Sequence, residues 1–193
     1  MTVLVLGLAT FLGAHGVRIY GDSWRSAQLE RLGRERWRAL YGAVSLTGLA
    51  LIVWGFGLAR AVSVPLWAAP NALRWATVLL MLPAFVLMVA GYLPDTRIKA
   101  ALGHPMVAGV GVWAIAHLPA NGRLEDLLLF GSFLAWAVFD YRASVRRDAA
   151  AGVVYPPGSA ARDALAFAVG LAAWLAFAFL LHGPLIGRAA LPT

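Results

Sequence analysis

Four histidines are the residues of this chain best suited to chemistry in an apolar setting. Each lies in or at the end of an apolar stretch: His15 in FLGAHGVR, His104 in GHPM, His117 in WAIAHLPANG and His182 in LLHGPLIG. Ionisable side chains are costly inside a membrane, so those found there are functional candidates. No Asp, Glu or Lys away from the ends of the apolar stretches competes with them. Imidazole can ligate a metal or haem, carry protons or hydrogen-bond a neighbouring helix.

The composition narrows the chemistry open to these histidines. The chain has 193 residues and no cysteine, which excludes disulfides, thiolate nucleophiles and Cys-ligated zinc or iron–sulfur centres. A haem b needs only one or two axial histidines and an apolar slot with small and aromatic residues. Such residues recur four apart in two stretches, a pattern that packing between helices also produces. The two runs are Gly109, Trp113 and His117, and Trp174, Ala178 and His182.

The elements that must position these histidines are membrane-spanning helices. Apolar residues make up 61% of the chain and charged residues 13%, whereas a soluble domain carries about 25% charge. The apolar residues occur in blocks close to the roughly 20 residues that a helical span requires. We predict an all-α bundle of about six transmembrane helices that forms a single domain over residues 1–193. The predicted spans are roughly 2–18, 38–60, 72–93, 102–120, 124–142 and 163–183.

The net charge of +7 predicts an orientation in the membrane. Twelve Lys and Arg residues lie in the connections after spans one, three and five, and four lie on the opposite side. By the positive-inside rule, both termini are on the non-cytoplasmic side of a bacterial inner membrane. Because the basic residues are in connections rather than on one basic face, we expect the lipid bilayer and no nucleic acid as a partner.

Helix geometry limits which histidines can share one iron. His104 and His117 are 13 residues apart, which is a rise of about 20 Å along a helix. They cannot ligate the same iron. The predicted topology places His15 and His104 in the cytoplasmic half of the membrane and His117 and His182 in the outer half.

The chain resembles the NnrU family of membrane proteins over nearly its whole length. Four stretches carry the resemblance, in this order: FLGAHGVR, RLGRERWRALYGAVSLTGLALIVWGFG, GHPMVAGVGVWAIAHLPANG and LHGPLIG. The third is the most specific. The family is similar to 15-cis-zeta-carotene isomerase, a haem b membrane enzyme of carotenoid synthesis, and its bacterial members are associated with denitrification and nitric oxide metabolism. The resemblance implies a polytopic protein with histidine-ligated haem b.

The resemblance also implies roles for individual histidines. His15 and His117 match the histidines around the haem of the isomerase, which makes them candidate axial ligands of the iron. His104 matches its neighbouring His-Pro histidine, and His182 matches a weaker position near the C-terminus, so all four are candidate cofactor-binding residues. However, antiparallel spans one and four place His15 and His117 roughly 15 Å apart in depth. We therefore expect His117 to pair with either His15 or His182.

Three functions follow from these observations. The first is a haem-binding membrane protein with an isomerase-like or nitric-oxide-linked redox role, which acts on an apolar small molecule if it is an enzyme. The second is a non-catalytic accessory protein that assembles or activates denitrification enzymes such as nitrite and nitric oxide reductases. The third, a membrane methyltransferase, fits poorly because Val107 and Ala108 stand where those enzymes place a tyrosine after the His-Pro element.

Overall fold

The structure is a computed structural model, and it describes residues 1–191. The regular elements of this part of the chain are helices. Their bounds are α1 Thr2–Tyr20, α2 Asp22–Leu32, α3 Arg34–Ala61, α4 Asn71–Tyr92, α5 Arg97–Leu102, α6 Pro105–Ala120, α7 Leu124–Ala150, α8 Ala160–Ala176, a π-helical turn Phe177–Leu181 and α9 His182–Ile186.

Within residues 1–191, four stretches of helix are long and apolar enough to cross a membrane: α1, α3, α4 and the continuous run Ala160–Ile186. Of the other two predicted spans, α6 is apolar but has 16 residues, and α7 has 27 residues and begins with two acidic side chains. The predicted all-helical fold is confirmed, with four candidate membrane spans. The count of six spans and the sides of the two termini stay predictions.

The helix of the fourth predicted span begins three residues after the predicted start near residue 102. The chain does not run as one helix from residue 102, because α5 ends at Leu102 and α6 begins at Pro105. Gly103 has a φ of +69°, a conformation that glycine adopts at low cost. Pro105 disfavours helical geometry at the residue before it and is itself well placed in the first turn of a helix. His104 therefore occupies the N-cap of α6.

The chain divides into two compact units. Unit 1 contains Met1–Trp67 and Arg123–Asp140, and unit 2 contains Ala68–Gly122 and the residues from Tyr141 onward. In unit 1, α1 packs closely on α3. A Cβ atom at Gly48 would lie 2.7 Å from the backbone nitrogen of Phe11. Small residues at such positions let membrane helices approach each other.

Unit 2 is built on α4, which packs against both α6 and α8. A Cβ atom at Gly109 of α6 would lie 2.9 Å from the carbonyl oxygen of Ala84, and one at Gly170 of α8 would lie 2.8 Å from the Cα of Val86. The two glycines thus bring α6 and α8 onto α4. This close packing positions the side chains described next.

Candidate histidine sites

One cavity in unit 2 brings two of the four histidines together. It has a volume of about 70 Å³, which is several-fold below the roughly 300–1,000 Å³ of sites for drug-sized ligands. Most of its wall is aromatic or aliphatic. Beside His117 and His182, the wall includes Phe85, Trp113, Trp174 and Phe177. We call this the His117–His182 cavity.

Helical periodicity explains how these side chains meet. Trp113 and His117 lie one turn apart on α6, and Trp174, Ala178 and His182 follow at intervals of four residues from α8 into α9; all five line the cavity. The π-helical turn between Trp174 and His182 holds an extra residue per turn. The side chain of His182 therefore points in a different direction from the one it would have in a regular α-helix. Gly109, the first member of the other predicted run, instead packs against α4.

Two hydrogen bonds between helices hold the cavity wall. The hydroxyl of Thr77 on α4 donates to the carbonyl of Ala116 on α6 at 2.7 Å, and the carbonyl of Leu73 on α4 is a second acceptor at 2.9 Å. The indole Nε1–H of Trp174 on α8 donates to the carbonyl of Val78 on α4 at 3.1 Å. Since both bonds are interhelical, they fix α6 and α8 against the same stretch of α4.

The two cavity histidines have the same ring nitrogen bound to the backbone. Nδ1–H of His117 donates to the carbonyl of Trp113 at 2.9 Å, and Nδ1–H of His182 donates to the carbonyl of Arg188 at 2.7 Å. A carbonyl oxygen can only accept, so Nδ1 carries the proton in both rings. In a neutral imidazole the lone pair is then on Nε2. This is the arrangement that supporting hydrogen bonds give to metal-binding histidines.

His15 lies in unit 1 and has the same tautomer. Its Nδ1–H donates to the carbonyl of Phe11 at 2.7 Å. Its ring stacks on that of Phe11 at 4.2 Å between centroids and is perpendicular to that of Trp136 at 5.9 Å between centroids. The Nε1–H of Trp136 is buried and has no hydrogen-bond partner among residues 1–191. A buried donor without an acceptor is costly, so Trp136 marks a place where an acceptor on a ligand would be stabilised.

His104 is in a different setting, at the junction of α5 and α6. Its Nε2 lies 2.7 Å from a carboxylate oxygen of Asp148, near the end of α7. The same oxygen accepts from the hydroxyl of Tyr155 at 2.5 Å. The ring of Tyr155 packs where Gly103 leaves room for it, since a Cβ at Gly103 would lie 3.2 Å from that ring. We call His104, Asp148 and Tyr155 the His104 cluster.

The hydrogen bond between Tyr155 and Asp148 shifts the pKa of both groups, which lie outside the predicted spans. The Tyr155 hydroxyl, with a smaller contribution from His104, holds the pKa of the Asp148 carboxyl below its usual value of 3.8. Burial, together with the neighbouring carboxylate, raises the pKa of Tyr155 to about 12. Asp148 is therefore an ionised acceptor, and Tyr155 is a neutral donor at physiological pH.

Sequence reasoning missed several of these residues. Asp148 and Tyr155 were not singled out, although Asp148 is an acid on the same predicted side of the membrane as His104. Glu125, in the first turn of α7 and at the end of an apolar stretch, was also not singled out. Glu125 is fully buried, accepts from the Ser63 hydroxyl at 2.5 Å through Oε1, and has no hydrogen-bond partner for Oε2 in the described chain.

Over residues 1–191, the structure forms no group of three or more His, Asp or Glu side chains that could hold a metal ion. His104 is at one end of α6 and His117 is 13 residues away near the other. The structure thus places His117 with His182, and His104 with Asp148. His15 is in the other unit.

Comparison with known proteins gives a family and no closer relative. No curated protein and no solved structure matches the chain. The family model described as NnrU protein matches residues 3–190, which is nearly the whole chain and includes all four histidines. Because that match extends through both units, the chain belongs to the NnrU family.

Proposed function

We propose that this NnrU protein binds haem b within a bacterial inner membrane, through His117 and a second histidine. The observation that carries the proposal is the shared tautomer of His15, His117 and His182, each with Nδ1–H on a backbone carbonyl. Nε2 then holds the lone pair in each neutral ring. An imidazole with its lone pair on Nε2 is the form that could hold the iron of a bound haem.

Some of the four histidines are better placed than others to bind the iron of a haem. His182 lines the same cavity as His117 and is the preferred second ligand, with His15 as the alternative. His104 has its Nε2 against a carboxylate, so we assign it a positioning role at the α5–α6 junction. The protein contributes imidazoles of fixed orientation and an apolar wall. Bound haem would supply an iron centre for electron transfer or for binding a small ligand.

The size of the cavity constrains how haem is accommodated. At about 70 Å³, the cavity is too small to enclose a macrocycle, since even drug-sized ligands occupy several times this volume. Aromatic side chains of the wall must therefore move apart when haem binds.

We propose six spans with both termini on the non-cytoplasmic side. Each predicted span overlaps a helix of the structure, and the six are α1, α3, α4, α6, α7 and the run Ala160–Ile186. An even number of spans places both ends of the chain on one side. The excess of Lys and Arg in three alternate connections assigns the other side to the cytoplasm.

The test is the haem content of the purified protein, measured from the reduced-minus-oxidised spectrum. We expect a Soret band in the parent protein and a several-fold lower ratio of haem to protein in His117→Gln. The matched control is His104→Gln, which changes a histidine of the same unit outside the cavity and should keep the parent ratio. A colourless parent protein, or equal loss in both variants, would contradict the proposal; a colourless protein would favour the accessory role.

A further inference from the structure

The segment after α9 folds back onto the His117–His182 cavity. Gly187 has a φ of +77°, and its N–H donates to the carbonyl of Gly183 at 2.8 Å. This left-handed residue ends α9 and reverses the chain. Ala190, three residues later, forms part of the cavity wall. We call residues 187–191 the strap.

A side-chain hydrogen bond from His182 links the strap to the cavity. The Nδ1–H of His182 donates to the carbonyl oxygen of Arg188 at 2.7 Å. The first three residues of the strap are exposed, and only Ala190 and Leu191 are half-buried. A segment with so few buried contacts opens locally at low free energy. The bond from His182 is one of the contacts that hold it in place.

We propose that the strap is the gate of the His117–His182 cavity and that the hydrogen bond from His182 to Arg188 is its latch. When the strap is in place, Ala190 closes part of the cavity and Nδ1 of His182 keeps its proton. When the strap opens, a small neutral ligand enters past Ala190, and His182 loses the acceptor that fixes its tautomer. Entry and the orientation of the His182 ring are therefore coupled. The inference rests on the cavity and does not require that haem is the ligand.

The absence of cysteine makes access to the cavity directly measurable. Ala178 lines the cavity, so Ala178→Cys places a single thiol there in a chain with no other. The rate of its reaction with N-ethylmaleimide in detergent micelles reports how often the cavity is open. The same thiol is then measured with His182→Phe, which removes the latch donor, and with His182→Asn, whose amide nitrogen stands near the position of Nδ1.

We expect His182→Phe to react roughly fivefold faster than the parent, about the effect of losing one hydrogen bond, and His182→Asn to react at nearly the parent rate. Gly187→Ala provides a second test that leaves His182 unchanged. Its side chain is strained at positive φ, so it should also speed the reaction.

Two further single-cysteine proteins control for other causes of a faster reaction with N-ethylmaleimide. Val154→Cys is in an exposed connection, where Val154 is 88% exposed, and its rate should not change in any strap variant. Ala90→Cys is fully buried on α4 and reports general loosening of unit 2. The proposal is overturned if the His182→Phe and Gly187→Ala changes leave the labelling rate at position 178 unchanged. It is also overturned if that rate rises only together with the labelling rate at position 90. A selective rise in a protein without a Soret band would support the gate and contradict haem binding.

Discussion

Two regions of unit 2 use histidine in opposite ways. In the His117–His182 cavity, both rings are held through Nδ1 by backbone carbonyls and line an apolar space. In the His104 cluster, the ring is held through Nε2 by a carboxylate that also accepts from a tyrosine. A backbone carbonyl that accepts from Nδ1–H fixes the ring and puts the lone pair of a neutral imidazole on Nε2. A carboxylate that accepts from both a histidine and a tyrosine instead links segments of the chain to each other.

The comparison shows that the partner of a histidine is more informative than its position in an apolar stretch. His104 and His117 bound the same apolar helix. His104 is part of a polar link between the α5–α6 junction and the connection after α7, whereas His117 is part of a cavity. We therefore expect changes to the cluster to alter stability and changes to the cavity to alter ligand binding.

The largest loss of stability is expected at Gly158, near the His104 cluster, where the packing leaves no room for a Cβ atom. A Cβ atom at Gly158 would overlap the backbone of Thr96 and Arg97, at the start of α5. Backbone atoms cannot yield as a flexible side chain does, so Gly158→Ala should lower the free energy of unfolding by about 3 kcal/mol. Thermal unfolding in detergent, followed by circular dichroism, measures this. Gly183→Ala is the control beside the cavity, because its Cβ would meet no atom within 4 Å.

A smaller effect is expected from the tyrosine of the cluster. Tyr155→Phe removes the hydroxyl that donates to Asp148. Because the cluster is partly exposed, the loss should be about 1 kcal/mol of stability, with no change in haem content or in labelling at position 178. Tyr92→Phe, at a tyrosine that is 80% exposed, should cost almost nothing. A lower haem content in Tyr155→Phe would show that the two regions are not separate.

The pH dependence of stability follows from the same hydrogen bond. The lowered pKa of Asp148 stabilises the fold above pH 3.8, and this contribution is lost as the pH falls through the folded-state value below it. The raised pKa of Tyr155 stabilises the fold below pH 10.0, and this contribution is lost as the pH rises towards 12. Melting temperatures between these limits should not change on account of either group. In Tyr155→Phe the loss of stability at alkaline pH should be reduced. An unchanged loss would contradict the assignment of this pH dependence to Tyr155.

The smallest effect is expected for one interhelical bond of the cavity wall. Thr77→Val removes the hydrogen bond to Ala116, and such bonds between membrane helices average about 0.6 kcal/mol. The matched control is Thr10→Val, because the hydroxyl of Thr10 donates to Leu6 within the same helix. Equal melting temperatures for the two variants would mean that this bond does not help to hold α6 on α4.

Much of the fold could be predicted because apolar blocks of span length are a strong signal. The helices of the structure overlap all six predicted spans, and the helical spacing of Trp174, Ala178 and His182 indicated that they share a face. The break before α6 was missed because it depends on the left-handed conformation of Gly103. Asp148 and Tyr155 were missed because their partner, His104, is more than 40 residues away in sequence.

The sequence by itself determined that the chain is all-helical, that it resembles the NnrU family, and that its four histidines lie within apolar helices or at their ends. These features could be read from the sequence because hydropathy, periodicity and motif order are local properties. Only the tertiary structure decided what each histidine contacts. It brought His117 and His182 to one cavity and gave Asp148 to His104. The reason is physical: the nitrogen of an imidazole that stays available to a ligand depends on which hydrogen-bond partner reaches the ring, and helix packing and chain reversals bring that partner into place.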